Sequence, residues 1–106
     1  MFARLVKSNL RADRIAEFSH KFELHIVPIL RRAKGFRNAY ALVGASGTEA
    51  VSLTFWDRKQ DAEAYNNTTF SEALKVLSTV FEGTPKIQTY DVTSSTFDEA
   101  AAHAPV

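Results

Sequence analysis

Ser52, Thr54 and Trp56 share one face of the stretch Val51 to Trp56, and Tyr65 follows after a switch from strand-like to helix-like spacing. Strand side chains alternate between faces, so two hydroxyls and the only tryptophan of the chain stand in a row, opposite Val51, Leu53 and Phe55. A row of that kind suits a flat, partly polar molecule, because an indole packs on a ring while hydroxyls hydrogen-bond to its oxygens. Ser52 and Tyr65 are candidate catalytic hydroxyls that hydrogen-bond such a molecule. His25, whose unperturbed pKa lies near neutrality, is a candidate general base. Trp56 completes the candidate catalytic set. Asn38 and Tyr40 on one strand, Tyr90 on another, and Phe22 and Phe70 on helices are the candidate substrate contacts.

Other chemistries are absent. The chain has no cysteine, which removes thiol nucleophiles, disulfides and Cys-based metal sites. His20 and His25 are five apart, about 140° around a helix, so they do not chelate one metal as an i, i+4 pair does. No flavin, metal or other cofactor is expected. With 13 basic and 12 acidic residues spread along 106 positions, the chain has no electrostatic footprint for nucleic acid or an anionic membrane. Its start, Met1 to Lys7, is broken by charges and reads as neither a signal peptide nor a membrane span, so a cytoplasmic location is expected.

The elements that must hold these residues are legible in turn. Phe2 to Lys7 alternates as a first strand that Ser8-Asn9 ends. Ile15, Phe18, Phe22, Ile26, Ile29 and Ala33 form the stripe of a long helix over 11–33, with a kink or break expected at Pro28 and a stop at Gly35. Phe36 to Val43 and Val51 to Trp56 are two strands joined by a hairpin at 44–48. A second helix begins near Arg58, is interrupted at Asn66-Asn67-Thr68, and continues with Phe70, Leu74, Leu77 and Phe81 on one stripe. After Gly83-Thr84-Pro85, residues 86–93 form the last strand. Residues 1–94 are therefore expected as one domain and 95–106 as a tail, where Thr96 and Glu99 have capping-box spacing for a short helix.

The order β-α-β-β-α-β, with short connections and right-handed crossovers, predicts an α+β, ferredoxin-like fold: a four-stranded antiparallel sheet with both helices on one face. The strands carry bulky residues on both faces, as in Phe55 beside Trp56 and Tyr40 beside Val43. Helices cover only one face, so the other is expected to meet a second copy, two sheets packing as a dimeric α/β barrel. The cavity is expected between sheet and helices, or at the rim where the subunits meet.

Three passages carry a family resemblance: Val27 to Leu30 leading to Gly35-Phe36-Arg37, Val51 to Asp57 leading to Asp61 to Tyr65, and Gly83 to Val92. In these the chain resembles the antibiotic biosynthesis monooxygenase-like family of dimeric α+β barrels. The resemblance implies cofactor-independent oxygenation of a planar aromatic, quinol or anthrone in type, by a homodimer. Trp56 matches the strand-end tryptophan of such oxygenases; Ser52 stands at their asparagine, Ala62 near their tyrosine with Tyr65 displaced from it, and Val76 near their arginine. Those exchanges motivate an alternative, a non-enzymatic or stress-linked module that binds small molecules. Haem binding or degradation is a third reading.

Overall fold

The computed structural model describes residues 1–96. Four strands, β1 (Phe2–Leu10), β2 (Phe36–Val43), β3 (Glu49–Trp56) and β4 (Phe81–Asp91), form one sheet in the order β2-β3-β1-β4 with every neighbouring pair antiparallel. Between β1 and β2 run α1 (Ile15–Lys21), a π-helical segment (Phe22–Ile26) and α2 (Val27–Arg31). Between β3 and β4 run α3 (Lys59–Thr68) and α4 (Phe70–Leu77). This is the ferredoxin-like α+β arrangement that the sequence predicts. The suggested tail helix lies outside the described residues.

Pro28 acts differently from a simple kink. Its missing N–H and its ring crowd the carbonyl of the preceding turn. The backbone widens ahead of it instead of breaking, with the Val27 N–H bonding the Phe22 carbonyl in π fashion, and Pro28 falls in the first turn of α2. The wider turn keeps Phe18, Phe22, Ile26, Ile29 and Leu30 buried in one continuous stripe. Leu24, off that stripe, is exposed.

Two boundaries move. Ser8-Asn9 does not end β1, which continues to Leu10, and Phe81 belongs to β4 rather than to a helix stripe. The register explains both: Lys7 opposes Lys86 but Asn9 already opposes Glu82, so Gly83, Thr84 and Pro85 bulge out of the ladder. Gly83 supplies a positive φ of 72°, and Pro85, which has no N–H, is tolerated because β4 is an edge strand. Turn residues here mark a bulge within a strand.

The core lies between sheet and helices. Phe2, Leu10, Ala50 and Trp56 from the sheet meet Phe18, Phe22, Ile26, Leu30, Ala62, Tyr65, Ala73 and Leu77 from the helices. On the far side of the sheet, Leu5 opposes Leu53, and Tyr40 stacks edge-on against Phe55 at 6.4 Å. Tyr40, Leu42 and Tyr90 there remain 41–49% exposed. No helix among the described residues is long and apolar enough to cross a membrane.

Candidate functional site

The pleat puts Arg4, Val6 and Ser8 of β1 on the same sheet face as Ala50, Ser52, Thr54 and Trp56 of β3, because Arg4 is registered with Thr54 and Val6 with Ser52. The helices close over this floor and leave an internal cavity. Ser52, Thr54, Arg4 and Ser8 line its floor, and Phe18, Phe22, Tyr65, Phe70 and Phe81 supply rings around it. Its free volume is about 30 Å3. By the criterion of roughly 10–15 Å3 for a water, that is room for water rather than for a ring.

Tyr65 and Phe70 reach the cavity together because the helix breaks between them. On an unbroken helix residues five apart point about 140° away from each other. Here Thr69 leaves the helical conformation between α3 and α4, while Thr68 turns its hydroxyl back onto the Ala64 carbonyl at 2.7 Å. The two rings then approach to 6.2 Å. The Arg4 guanidinium lies over both, 4.0 Å from the Phe70 ring centre and 5.6 Å from that of Tyr65. One of its terminal nitrogens donates to Asn66 Oδ1 at 2.8 Å.

Arg4 as a residue is 3% exposed, and among the described residues no carboxylate pairs with it. Burial pulls its pKa below the ordinary arginine value, and the nearby Tyr65 opposes that shift. Burial raises the Tyr65 phenol above the usual tyrosine value, with Arg4 acting the other way and Glu72 adding to the rise. Tyr65 is therefore a neutral hydrogen-bond donor at neutral pH.

Trp56 is wholly buried and backs the site rather than lining it. Its indole packs on Tyr65 at 5.1 Å and edge-on against Phe36 at 5.6 Å. The indole N–H donates to Thr54 Oγ1 at 2.9 Å.

Of the residues expected from the sequence, Ser52, Tyr65, Phe22 and Phe70 come together around the cavity, with Trp56 behind them. His25 does not: it is exposed on the π segment, with Phe22 and Ile26 turned inward in its place. Asn38, Tyr40 and Tyr90 do not either, because their register partners Phe55, Leu53 and Ala3 place them on the far face of the sheet. Arg4 is the cavity residue that periodicity missed. The signal was available: Arg4 shares the alternation of Phe2 and Val6, so a charge stood on the apolar face of the first strand.

A second opening borders Arg4. Phe2, Arg4, Ile87 and Thr89 of the sheet and Lys59, Ala62, Glu63 and Asn66 of α3 line a surface cleft of about 210 Å3. Arg4 is common to the cleft and the cavity, so its side chain stands in the wall between them.

No protein family model matches the chain, and no curated protein matches it. Solved structures do. The fold is shared with antibiotic biosynthesis monooxygenase-like proteins. A monooxygenase from the gene ActVA-Orf6 of Streptomyces coelicolor, solved in complex with the ligand nanaomycin D, superposes with a TM-score of 0.77 at 17% identity over 92% of this chain and 91% of that one. A putative antibiotic biosynthesis monooxygenase from Bordetella bronchiseptica gives 0.74 at 14% identity, covering 87% of this chain and 96% of that one. SnoaB, a cofactor-independent oxygenase from Streptomyces nogalater, gives 0.73 at 13% identity over 92% and 97%.

Proposed function

We propose that the protein is a small homodimeric oxygenase that acts on a planar, oxidisable aromatic of the quinol or anthrone type without flavin or metal. The observation that carries this reading is the cavity on the helix side of the sheet, where Tyr65 and Phe70 rings flank a floor of Arg4, Ser52 and Thr54. The solved structures of the same fold, one of them holding nanaomycin D, support the reaction class.

In this reading the cavity walls orient the ring, Ser52 and Tyr65 hydrogen-bond the oxygen that loses its proton, and that proton passes to a water in the cavity and returns to the peroxide that forms later. The resulting enolate carries carbanion character at the carbon to be oxidised. It transfers an electron to dioxygen, the two radicals combine as a carbon-bound peroxide, and loss of water leaves a carbonyl. One dioxygen turns a ring CH2 into C=O and releases one water. The substrate supplies the electrons. The helix layer must open to admit the ring, given the free volume of about 30 Å3. The π segment and the break at Thr69 are the deformable points in that layer.

Oxygen uptake with a panel of hydroquinones and anthrones tests this. We expect uptake with one ring class, a loss of about 10–1000-fold in kcat/KM for Ser52→Ala and Tyr65→Phe, and no change for the exposed His25→Ala. No uptake across the panel overturns it. A second reading, a binding module without chemistry, is favoured by Ser52, Ala62 and Val76 standing where the oxygenases the chain resembles carry asparagine, tyrosine and arginine. Thermal stabilisation by one ligand class without oxygen consumption decides for it.

The homodimer rests on the sheet face that no helix among the described residues covers, where Leu5, Leu53, Phe55, Leu42 and Tyr90 lie. An apolar surface of that kind on a single copy favours a second sheet against it.

A further inference from the structure

Among the described residues the charge of Arg4, a buried side chain, has no countercharge. Its partners are the neutral Asn66 carbonyl oxygen and two ring faces, and among the described residues no carboxylate reaches it. Withdrawing an ion from water costs several kcal/mol unless it is paired and hydrogen-bonded. A guanidinium offers five donors; Asn66 takes one of them, and the side chain borders both the cavity and the cleft.

A second observation, independent of the first, lies further along the same strand. Ser8 is 5% exposed, lines the same cavity, and its hydroxyl is the buried side-chain atom without a hydrogen-bond partner among the described residues. Such atoms are rare, because a buried hydroxyl left without a partner loses the hydrogen bonds that water gave it. Arg4 and Ser8 stand four residues apart on one strand face, a span of roughly 13 Å along the floor.

We propose that Arg4 reads an acidic oxygen of the ligand, so that the molecule bound here is a flat acid (a ring phenolate, enolate or carboxylate), elongated enough for a second polar group to meet the Ser8 hydroxyl. This deepens the reading of the cavity as a site for a flat small molecule and rests on it. Arg4 supplies the charge that a neutral hydroxyl pair does not. Its planar fork suits two oxygens of an acid or the delocalised oxyanion of a ring, while the faces of Phe70 and Tyr65 hold the fork in place. Because Arg4 also borders the open cleft beside α3, the acid meets the guanidinium at the wall, before it enters the closed interior. In the cleft, Lys59 and Glu63 face each other at 3.8 Å, so Arg4 keeps the one positive charge there that no carboxylate answers among the described residues.

The test pairs an acid with its neutral alcohol on one ring system. Naphthoate and naphthalenemethanol are titrated into the full chain by calorimetry, with thermal stabilisation as a second readout. We expect naphthoate to bind at least about tenfold more tightly than the alcohol in the wild type. Arg4→Met should bring the two affinities together, and Arg4→Lys should lower the preference in part, since the charge stays and the fork is lost. A hydroxynaphthoate should gain over naphthoate in the wild type and lose that gain in Ser8→Ala. Equal affinities in the wild type, or no binding of either probe, overturn the proposal whether or not a variant folds. So does a preference that Arg4→Met or Arg4→Lys leaves unchanged. Neither probe is oxidised, so the assay is separate from oxygen uptake: an acid-selective protein that consumes no oxygen overturns the oxygenase and keeps this assignment, and an active oxygenase indifferent to the acid does the reverse.

Discussion

The indole N–H of Trp56 donates to the hydroxyl of Thr54 at 2.9 Å, and that hydroxyl donates in turn to the Arg4 carbonyl at 3.3 Å. The tryptophan is thus hydrogen-bonded to the floor of the cavity and stacked on Tyr65, behind the side chains that line it.

Trp56→Ala should therefore behave as a core deletion and cost about 3–5 kcal/mol in urea unfolding. Thr54→Val, which strands the indole N–H, should cost about 1–3 kcal/mol. Loss of activity in Trp56→Ala with full stability would contradict this placement.

Tyr65 gives a pH signature. Its folded pKa is raised by burial, so the folded state holds the phenolic proton more tightly than the unfolded chain, whose value is near 10.0. The stability that comes with this is complete below pH 10 and is lost as pH climbs from there through the folded value. Tyr65→Phe should remove that alkaline loss and delete the last-titrating part of the ultraviolet tyrosinate signal. An unchanged alkaline limb would contradict it.

Gly35 is held at a φ of 78°, and a Cβ there would sit 2.1 Å from Asp61 Oδ2, with Asp61 buried beside Arg58. Gly35→Ala should cost about 2–4 kcal/mol, from backbone strain and the clash together. Combining it with Asp61→Ala should recover only the part of the clash due to the carboxylate, because the Asp61 Cβ, 2.7 Å from the added methyl, remains together with the backbone strain of about 1 kcal/mol. Strict additivity of the two changes would show that they do not meet.

The open sheet face predicts the oligomer. Leu42 is 48% and Tyr90 49% exposed, so charged replacements there spare the fold of the single chain. The wild type should show a dimer mass by light scattering, and Leu42→Glu with Tyr90→Glu a monomer of unchanged circular dichroism. A wild-type monomer at all concentrations rules the face-to-face dimer out.

Most of the fold was legible because period-two and helical patterns name the core faces directly. Phe18, Phe22 and Ile26 are buried as their spacing requires, and Phe36 to Val43 forms the strand that its alternation predicts. Local punctuation was less informative. Gly83-Thr84-Pro85 and Ser8-Asn9 read as breaks, yet pairing between β1 and β4 runs past both and absorbs them as a bulge. The site was half legible. Ser52 and Tyr65 were found from types and spacing, but which sheet face meets the helices depends on register, and that decided against Asn38, Tyr40 and Tyr90 as cavity residues. Arg4 was hidden because a charge in an alternating strand reads as an outward position until its partners Thr54 and Thr89 turn it inward.

The bulge of β4 also bears on how copies of the chain can meet. An edge strand with a regular ladder invites another strand to extend the sheet without limit. At Gly83 to Pro85 the edge of this sheet turns out of register and lacks one N–H, so half of β4 offers no template for such growth. Stacking through the flat face is a closed contact that two copies complete, while end-to-end growth along the edge is blocked where the chain bulges.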